Sequence, residues 1–247
     1  MRLTVLGACG AWPEPGQACS GFLVEHDGFR LVVDLGYATV PRLLGVVDAG
    51  QVDAVVISHG HPDHCADLNP LLRARALRDE PAPALPVYAP AGALDAVLRL
   101  DQPQTLAGSY QVHELLPGAS LEIGPLRVQV RRLPHWLPNL GVRLTAGGAV
   151  LAYTGDSGPS EEVVRLAADA DLLLAEATYL DPAPAHAAAD LSTASVAGRQ
   201  AARAGVGRLL LTHLWPGADR PAYLAAARAE YPGATDLATS GQRLDLS

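Results

Sequence analysis

The chain has 247 residues, 49% hydrophobic and 18% charged, with 26 acidic against 18 basic side chains and a formal net charge of −8. Such a composition excludes intrinsic disorder, and the length allows a substantial core in one large domain or two tightly fused halves. Every basic residue is Arg, scattered except for small groups at Arg73/Arg75/Arg78 and Arg131/Arg132; the basic stripe of a protein that grips a long polyanion is missing.

Met1–Gly7 reads as a first strand, with an apolar stretch too short for a signal-peptide core. No apolar run approaches the roughly 20 residues needed to span a bilayer, so a cytoplasmic protein without membrane contact is expected. Cys9, Cys19 and Cys65 are odd in number and lack CxxC spacing, which argues against a disulfide framework. Short apolar strands follow at residues 21–25, 29–34, 52–58, 86–89, 126–133, 141–145, 149–154, 171–176 and 208–212. Residues 69–78, 91–100, 160–169, 193–204 and 221–230 carry apolar side chains three or four apart and read as helices. Ser160 followed by Glu161 and Glu162 reads as an N-cap with acids in the first turn. A strand-rich stretch precedes helices, and this order repeats after about residue 120. The expectation is a single α/β domain over 1–247 with two β-rich halves, about 1–120 and 121–247, stacked as a four-layer αββα sandwich.

Directly after the strand at 52–57 comes Ser58-His59-Gly60-His61-Pro62-Asp63-His64, which holds three of the eight His residues. Imidazole nitrogens and carboxylate oxygens bind Zn²⁺ at about 2.0–2.2 Å. In an extended or tightly turning segment His59, His61 and Asp63 point one way while His64 can point another, so one hexapeptide could serve two ions. Three further strands end in ligand-type residues: His135 after 128–133, Asp156 after 150–154 and His213 after 209–212. Strand carboxyl ends are where sites assemble in α/β sheets. The four together form a constellation.

In this order the HxHxDH segment, His135, Gly155-Asp156 and His213 resemble the ligand motifs of the metallo-β-lactamase-fold superfamily. Leu6–Pro13, Ser20–Val24, Leu31–Gly36, Leu174–Thr178 and Leu209–Leu214 resemble the branch containing ribonuclease Z and related phosphodiesterases. The resemblance implies that His59, His61 and His135 bind one ion, that Asp63, His64 and His213 bind a second, and that Asp156 bridges them. It implies zinc most often, with manganese or iron as alternatives, and a metal-bound hydroxide attacking a phosphodiester or related ester. Two ions about 3.5–4 Å apart acidify a shared water and steady both attacking and leaving oxygens. Asp34 is a candidate for orienting a ligand imidazole.

The chain departs from ribonuclease Z where that enzyme carries two further His residues: Ala175 and Leu191 stand there instead. His186, with Asp190 as the alternative, is then the candidate proton donor to the leaving group, if the loop 181–190 folds inward; Asp63, Asp156 and His186 make up the expected catalytic set. No Gly/basic arm for gripping tRNA lies between His64 and His135. The expected partner is therefore a small-molecule or nucleotide ester rather than a long nucleic acid, with a lactone or thioester, tRNA 3′-processing and a non-catalytic metal protein as the alternatives. A homodimer is expected by resemblance only. Trp12 and Trp136 read either as pocket lining or as core. Glu176, an acid on an apolar strand, needs a partner: either it supports the site or it pairs with an Arg.

Overall fold

A computed structural model describes residues 1–102 and 104–247. Its first sheet is built from β1 (Arg2–Gly7), β2 (Gly21–His26), β3 (Phe29–Leu35), β4 (Ala54–Val56), β5 (Leu85–Ala89) and β6 (Tyr110–Glu114). The second is built from β7 (Ser120–Ile123), β8 (Leu126–Leu133), β9 (Asn139–Ala146), β10 (Ala149–Tyr153), β11 (Leu172–Glu176), β12 (Arg208–Thr212) and β13 (Ala234–Leu237). A short last strand, β14 (Arg243–Asp245), returns across the molecule to pair with β1. The two seven-stranded sheets have the orders β14-β1-β2-β3-β4-β5-β6 and β13-β12-β11-β10-β9-β8-β7. Antiparallel hairpins open each sheet, and parallel pairs from β3 to β6 and from β10 to β13 complete them. Parallel pairing requires crossovers, which the helices supply.

Alternation along the strands sends one set of side chains between the sheets. Leu3, Val5, Phe22, Val24, Leu31 and Val33 meet Val128, Val130, Val142, Leu144, Leu151 and Leu172 in one buried cluster. The opposite face of the first sheet is covered by α1 (Thr39–Leu44), α2 (Pro62–Cys65), α3 (Leu68–Ala76) and α4 (Asp95–Leu98), through Leu43, Leu68, Leu71, Leu72 and Val97. The outer face of the second is covered by α5 (Glu161–Ala167), α6 (Ala194–Ala204) and α7 (Arg220–Glu230). The result is the expected αββα sandwich. Among the described residues no helix is long and apolar enough to cross a membrane.

Three differences from the sequence reading have physical causes. The helix expected over 91–100 shrinks to the four residues of α4, because Gly92 takes a left-handed φ of 73° that an α-helix cannot continue through. Four strands, β6, β7, β13 and β14, were not expected. β6 and β7 are sheet-edge strands with much of their surface in solvent, which leaves little apolar alternation to read. Finally, Pro62–Cys65 is helical, with Pro at a first-turn position that suits it. The period-two alternation expected for His59, His61 and Asp63 therefore stops at His61.

Candidate metal centre

The ligand-type side chains converge at the carboxyl ends of strands from both sheets. β4 runs into His59 and His61, and α2 supplies Asp63 and His64. β8, β10 and β12 run into His135, Asp156 and His213. Two groups result: His59, His61, His135 and Asp156, and Asp63, His64, Asp156 and His213, with the ligand atoms of each group within 4.8 Å of one another. The turn of α2 moves Asp63 to the side of His64, away from His59 and His61, which corrects the alternation reading.

Asp156 belongs to both groups, one oxygen to each. Its Oδ2 lies 3.7 Å from His59 Nε2 and 3.8 Å from His135 Nε2. Its Oδ1 lies 3.1 Å from His64 Nε2 and 3.3 Å from His213 Nε2. In the first group His61 Nδ1 stands 3.0 Å from His59 Nε2 and 3.1 Å from His135 Nε2. In the second, Asp63 Oδ2 is 3.1 Å from His213 Nε2 and also accepts the Ala11 backbone N–H at 2.7 Å.

The surrounding hydrogen bonds decide which imidazole nitrogen faces inward. Asp34 sits where the β2–β3 register slips by one residue, a bulge with φ 57°. Its carboxylate accepts the Ser58 N–H (2.7 Å), the Ser58 hydroxyl (2.8 Å), the Tyr153 hydroxyl (2.7 Å) and His64 Nδ1–H (2.7 Å). Ser58 has spent its only hydrogen on Asp34, so at 3.1 Å its oxygen accepts from His59 Nδ1–H. His135 Nδ1–H donates to the Asp190 carbonyl at 2.9 Å. Thr178 gives its hydrogen to Glu176 at 2.8 Å and accepts from His213 Nδ1–H at 2.9 Å. Four imidazoles are thus pinned through Nδ1 and turn Nε2 to the centre; His61 alone turns Nδ1. Partners of this kind fix tautomer and ring orientation in metal sites.

Glu176 resolves its two readings in favour of site support. It accepts from Ser157 N–H, Ser192 N–H, Thr178 N–H and the Thr178 hydroxyl, and no Arg is among its partners. Burial and the nearby Asp156 push its carboxyl up to about 7. Asn139 caps the Asp156 turn by donating to the Thr154 and Asp156 carbonyls.

Charge in the centre is divided. Burial, reinforced by His64, drives His59 well below the usual imidazole range, and burial lowers His61 in the same sense. Burial also acts against charge at His64 and His213, but Asp156 and Asp63 outweigh it, and both imidazoles titrate above their ordinary value. Asp156 is held far below the carboxylate range by His213 and His64 despite its burial. His64 Nε2 and Asp156 Oδ1 lie 3.1 Å apart, and although both are buried neither makes a hydrogen bond. Unpartnered buried polar atoms are costly. A divalent cation bound to both would remove that cost, so the residues fit a metal.

A cavity of about 360 Å³ opens over the centre, with walls that add Ala11, Trp136, Tyr179, His186, Leu191 and Trp215 to the ligand-type residues. The loop 181–190 thus brings His186 to the cavity; Asp190 contributes its carbonyl to His135 and is not among the wall residues. Trp12 and Trp136 are exposed and not core. Ser58, Tyr153 and Thr178 went unnoticed in the sequence. A usable signal existed for Thr178, which lies two positions after Glu176, where the chain leaves β11; none existed for Trp215, because His213 breaks the run with a left-handed φ of 55°.

The family model described as "Beta-lactamase superfamily domain" matches residues 18–214. The chain belongs to this family. A curated relative, "Probable metallo-hydrolase YhfI" of Bacillus subtilis (strain 168), is 31% identical over 245 residues, covering 98% of each chain. The crystal structure of that metallo-β-lactamase fold protein superposes with a TM-score of 0.89 at 29% identity, again over 98% of each chain. The short form of human tRNase Z superposes with a TM-score of 0.82 at 25% identity over the whole of both chains. Family membership and a donor set suited to metal support a metal-dependent hydrolase.

Proposed function

We propose that this protein is a binuclear metal-dependent hydrolase acting on a phosphodiester. The observation that carries the reading is Asp156 offering one oxygen to each of two ligand groups. His59, His61 and His135 would hold one ion, and Asp63, His64 and His213 the other, with Asp156 between them. Zinc suits the nitrogen-rich set best, and manganese or iron are the alternatives. When bound, such a pair supplies Lewis acidity and lowers the pKa of a water.

The protein's own residues do the rest. Asp34, Ser58, Thr178 and the Asp190 carbonyl keep four imidazoles aimed before any ion arrives. In hydrolysis the water oxygen bonds to phosphorus, the ester P–O bond breaks, and the departing alkoxide needs one proton. His186, on the cavity wall, is the group we assign to deliver it. The ribonuclease Z relatives support phosphodiester chemistry, among them one from Haloferax volcanii, 29% identical over 306 residues. A small acyl ester is the second reading, favoured by Leu191 and Ala11 in the wall.

Purified protein is expected to hydrolyse bis(p-nitrophenyl) phosphate with Zn²⁺ or Mn²⁺, to lose that activity on chelation, and to fall to background in Asp156→Asn. A protein that ignores every phosphodiester offered but cleaves a thioester or lactone with the same chelator sensitivity would overturn the phosphodiester assignment.

A further inference from the structure

The chain contains three Trp residues; two line the cavity over the metal centre and the third packs against one of them. Trp136 directly follows His135, and Trp215 follows His213 by two positions, so each ring is tied to a strand end that carries a ligand-type His. Both are wall residues of the cavity. Trp12 lies edge-on to Trp215, with ring centroids 5.1 Å apart at 82°. Tyr179, also in the wall, stacks on Trp215 at 5.8 Å and 19°. The Trp215 ring is therefore braced from two sides before anything binds.

These rings are also wet: Trp12 is 47% exposed, Trp136 53% and Trp215 37%. Exposed aromatic area clustered at a concave site marks ligand recognition more than packing. The cavity wall contains no Arg among the described residues, although the chain has 18. Positive charge for a phosphate must come from the centre itself, which leaves the aromatic rings as the means of gripping the remainder of the substrate. At about 360 Å³ the cavity falls near the low end of small-molecule sites, roughly 300–1,000 Å³. That is room for one nucleotide unit at the centre.

Building on the phosphodiesterase reading, we propose that the substrate is a compact nucleotide phosphodiester whose base stacks on Trp136 and Trp215. Base–aromatic stacking tolerates every base, because each has a π-face. The site therefore discriminates a nucleotide from an aliphatic phosphodiester more than one base from another. Trp136 and Trp215 act as specificity-determining residues and take no part in bond making.

Because Trp136 and Trp215 line the cavity and Trp12 packs on Trp215, intrinsic fluorescence excited at 295 nm reports on this region of the molecule. Adenosine 5′-monophosphate titrated into zinc-loaded protein is expected to quench the emission saturably. Ribose 5-phosphate, which lacks the base, is expected to bind about 5–150-fold more weakly in competition. Trp136→Leu and Trp215→Leu should each narrow that gap severalfold or more without changing ribose 5-phosphate binding, and Trp136→Phe should restore most of it. Thermal melts identify any variant that fails to fold. Equal affinity for the two probes in the wild type, or variants that weaken both alike, would overturn the proposal. The same comparison in turnover, using the methyl phosphodiesters of the two probes, separates the two readings. Equal turnover of both esters rejects base recognition alone. Discriminating binding without any turnover rejects the phosphodiesterase reading alone.

Discussion

Asp34 governs more of the centre than any single ligand. From one bulged position it orients His64 directly and His59 through Ser58, and it takes a third donor from Tyr153 of the opposite sheet. An Asn in its place keeps the volume but turns one acceptor oxygen into a donor, so either the Ser58 backbone N–H at the Oδ1 position or His64 Nδ1–H and the two hydroxyls at the Oδ2 position are left facing N–H. Asp34→Asn is therefore expected to weaken metal binding about 10–100-fold. Competition against a chromophoric chelator measures this directly, and an unchanged affinity would mean that His64 finds its orientation elsewhere. The left-handed φ of 57° is tolerated by Asp better than by most residues, so the acid serves both the bend and the hydrogen bonds. His213 pays a comparable conformational cost at φ 55°, held by Thr178 on one nitrogen and facing Asp63 with the other.

At the scale of elements, the centre depends on α2 lying flush against the end of β3. Gly36 makes this possible: a Cβ there would fall 1.8 Å from the Asp63 carbonyl oxygen, a backbone atom with no rotamer to escape into. Gly36→Ala is expected to push α2 outward, to cost about 1–3 kcal/mol by overpacking, and to weaken uptake at the group containing Asp63 and His64 first. Urea unfolding gives the first quantity and metal stoichiometry at limiting concentration the second. This scale is also where the sequence was least legible. His59–His64 could be read because six neighbours carried the pattern, and His135, Asp156 and His213 because each ends an apolar run. Tyr153 was hidden because its contact with Asp34 crosses from one sheet to the other over 119 residues, and Ser58 because its contact joins neighbouring strands of the first sheet over 24 residues. α1 was missed because six residues with an internal Pro41 carry too little periodicity. The over-long helix at 91–100 shows the reverse error, apolar spacing without the backbone to use it.

Across the whole molecule, metal, protons and stability are linked. The carboxylates around His64 and His213 raise both imidazoles above their ordinary value. A raised folded-state value contributes stability that is complete below the unfolded value, near 6.5, and is lost as pH rises through the folded one. An ion needs these nitrogens deprotonated and must displace their protons. The gain in melting temperature on adding Zn²⁺ should therefore grow from pH 6 to pH 8, with protons released into a dye-buffered solution. A gain independent of pH would show that the ion leaves His64 and His213 alone.

The centre draws its ligand-type residues from both sheets, and that division has a mechanical side. Asp63 and His213 meet across 150 positions of chain, and the three cysteines, Cys9, Cys19 and Cys65, are all free thiols. An ion held between them would close a very long loop, and closing long loops removes entropy from the unfolded chain. In a protein without cross-links of sulfur, the catalytic metal would thus double as the clasp between its two sheets. Hydrogen exchange at the inner ends of β4 and β12 would then slow together when it binds.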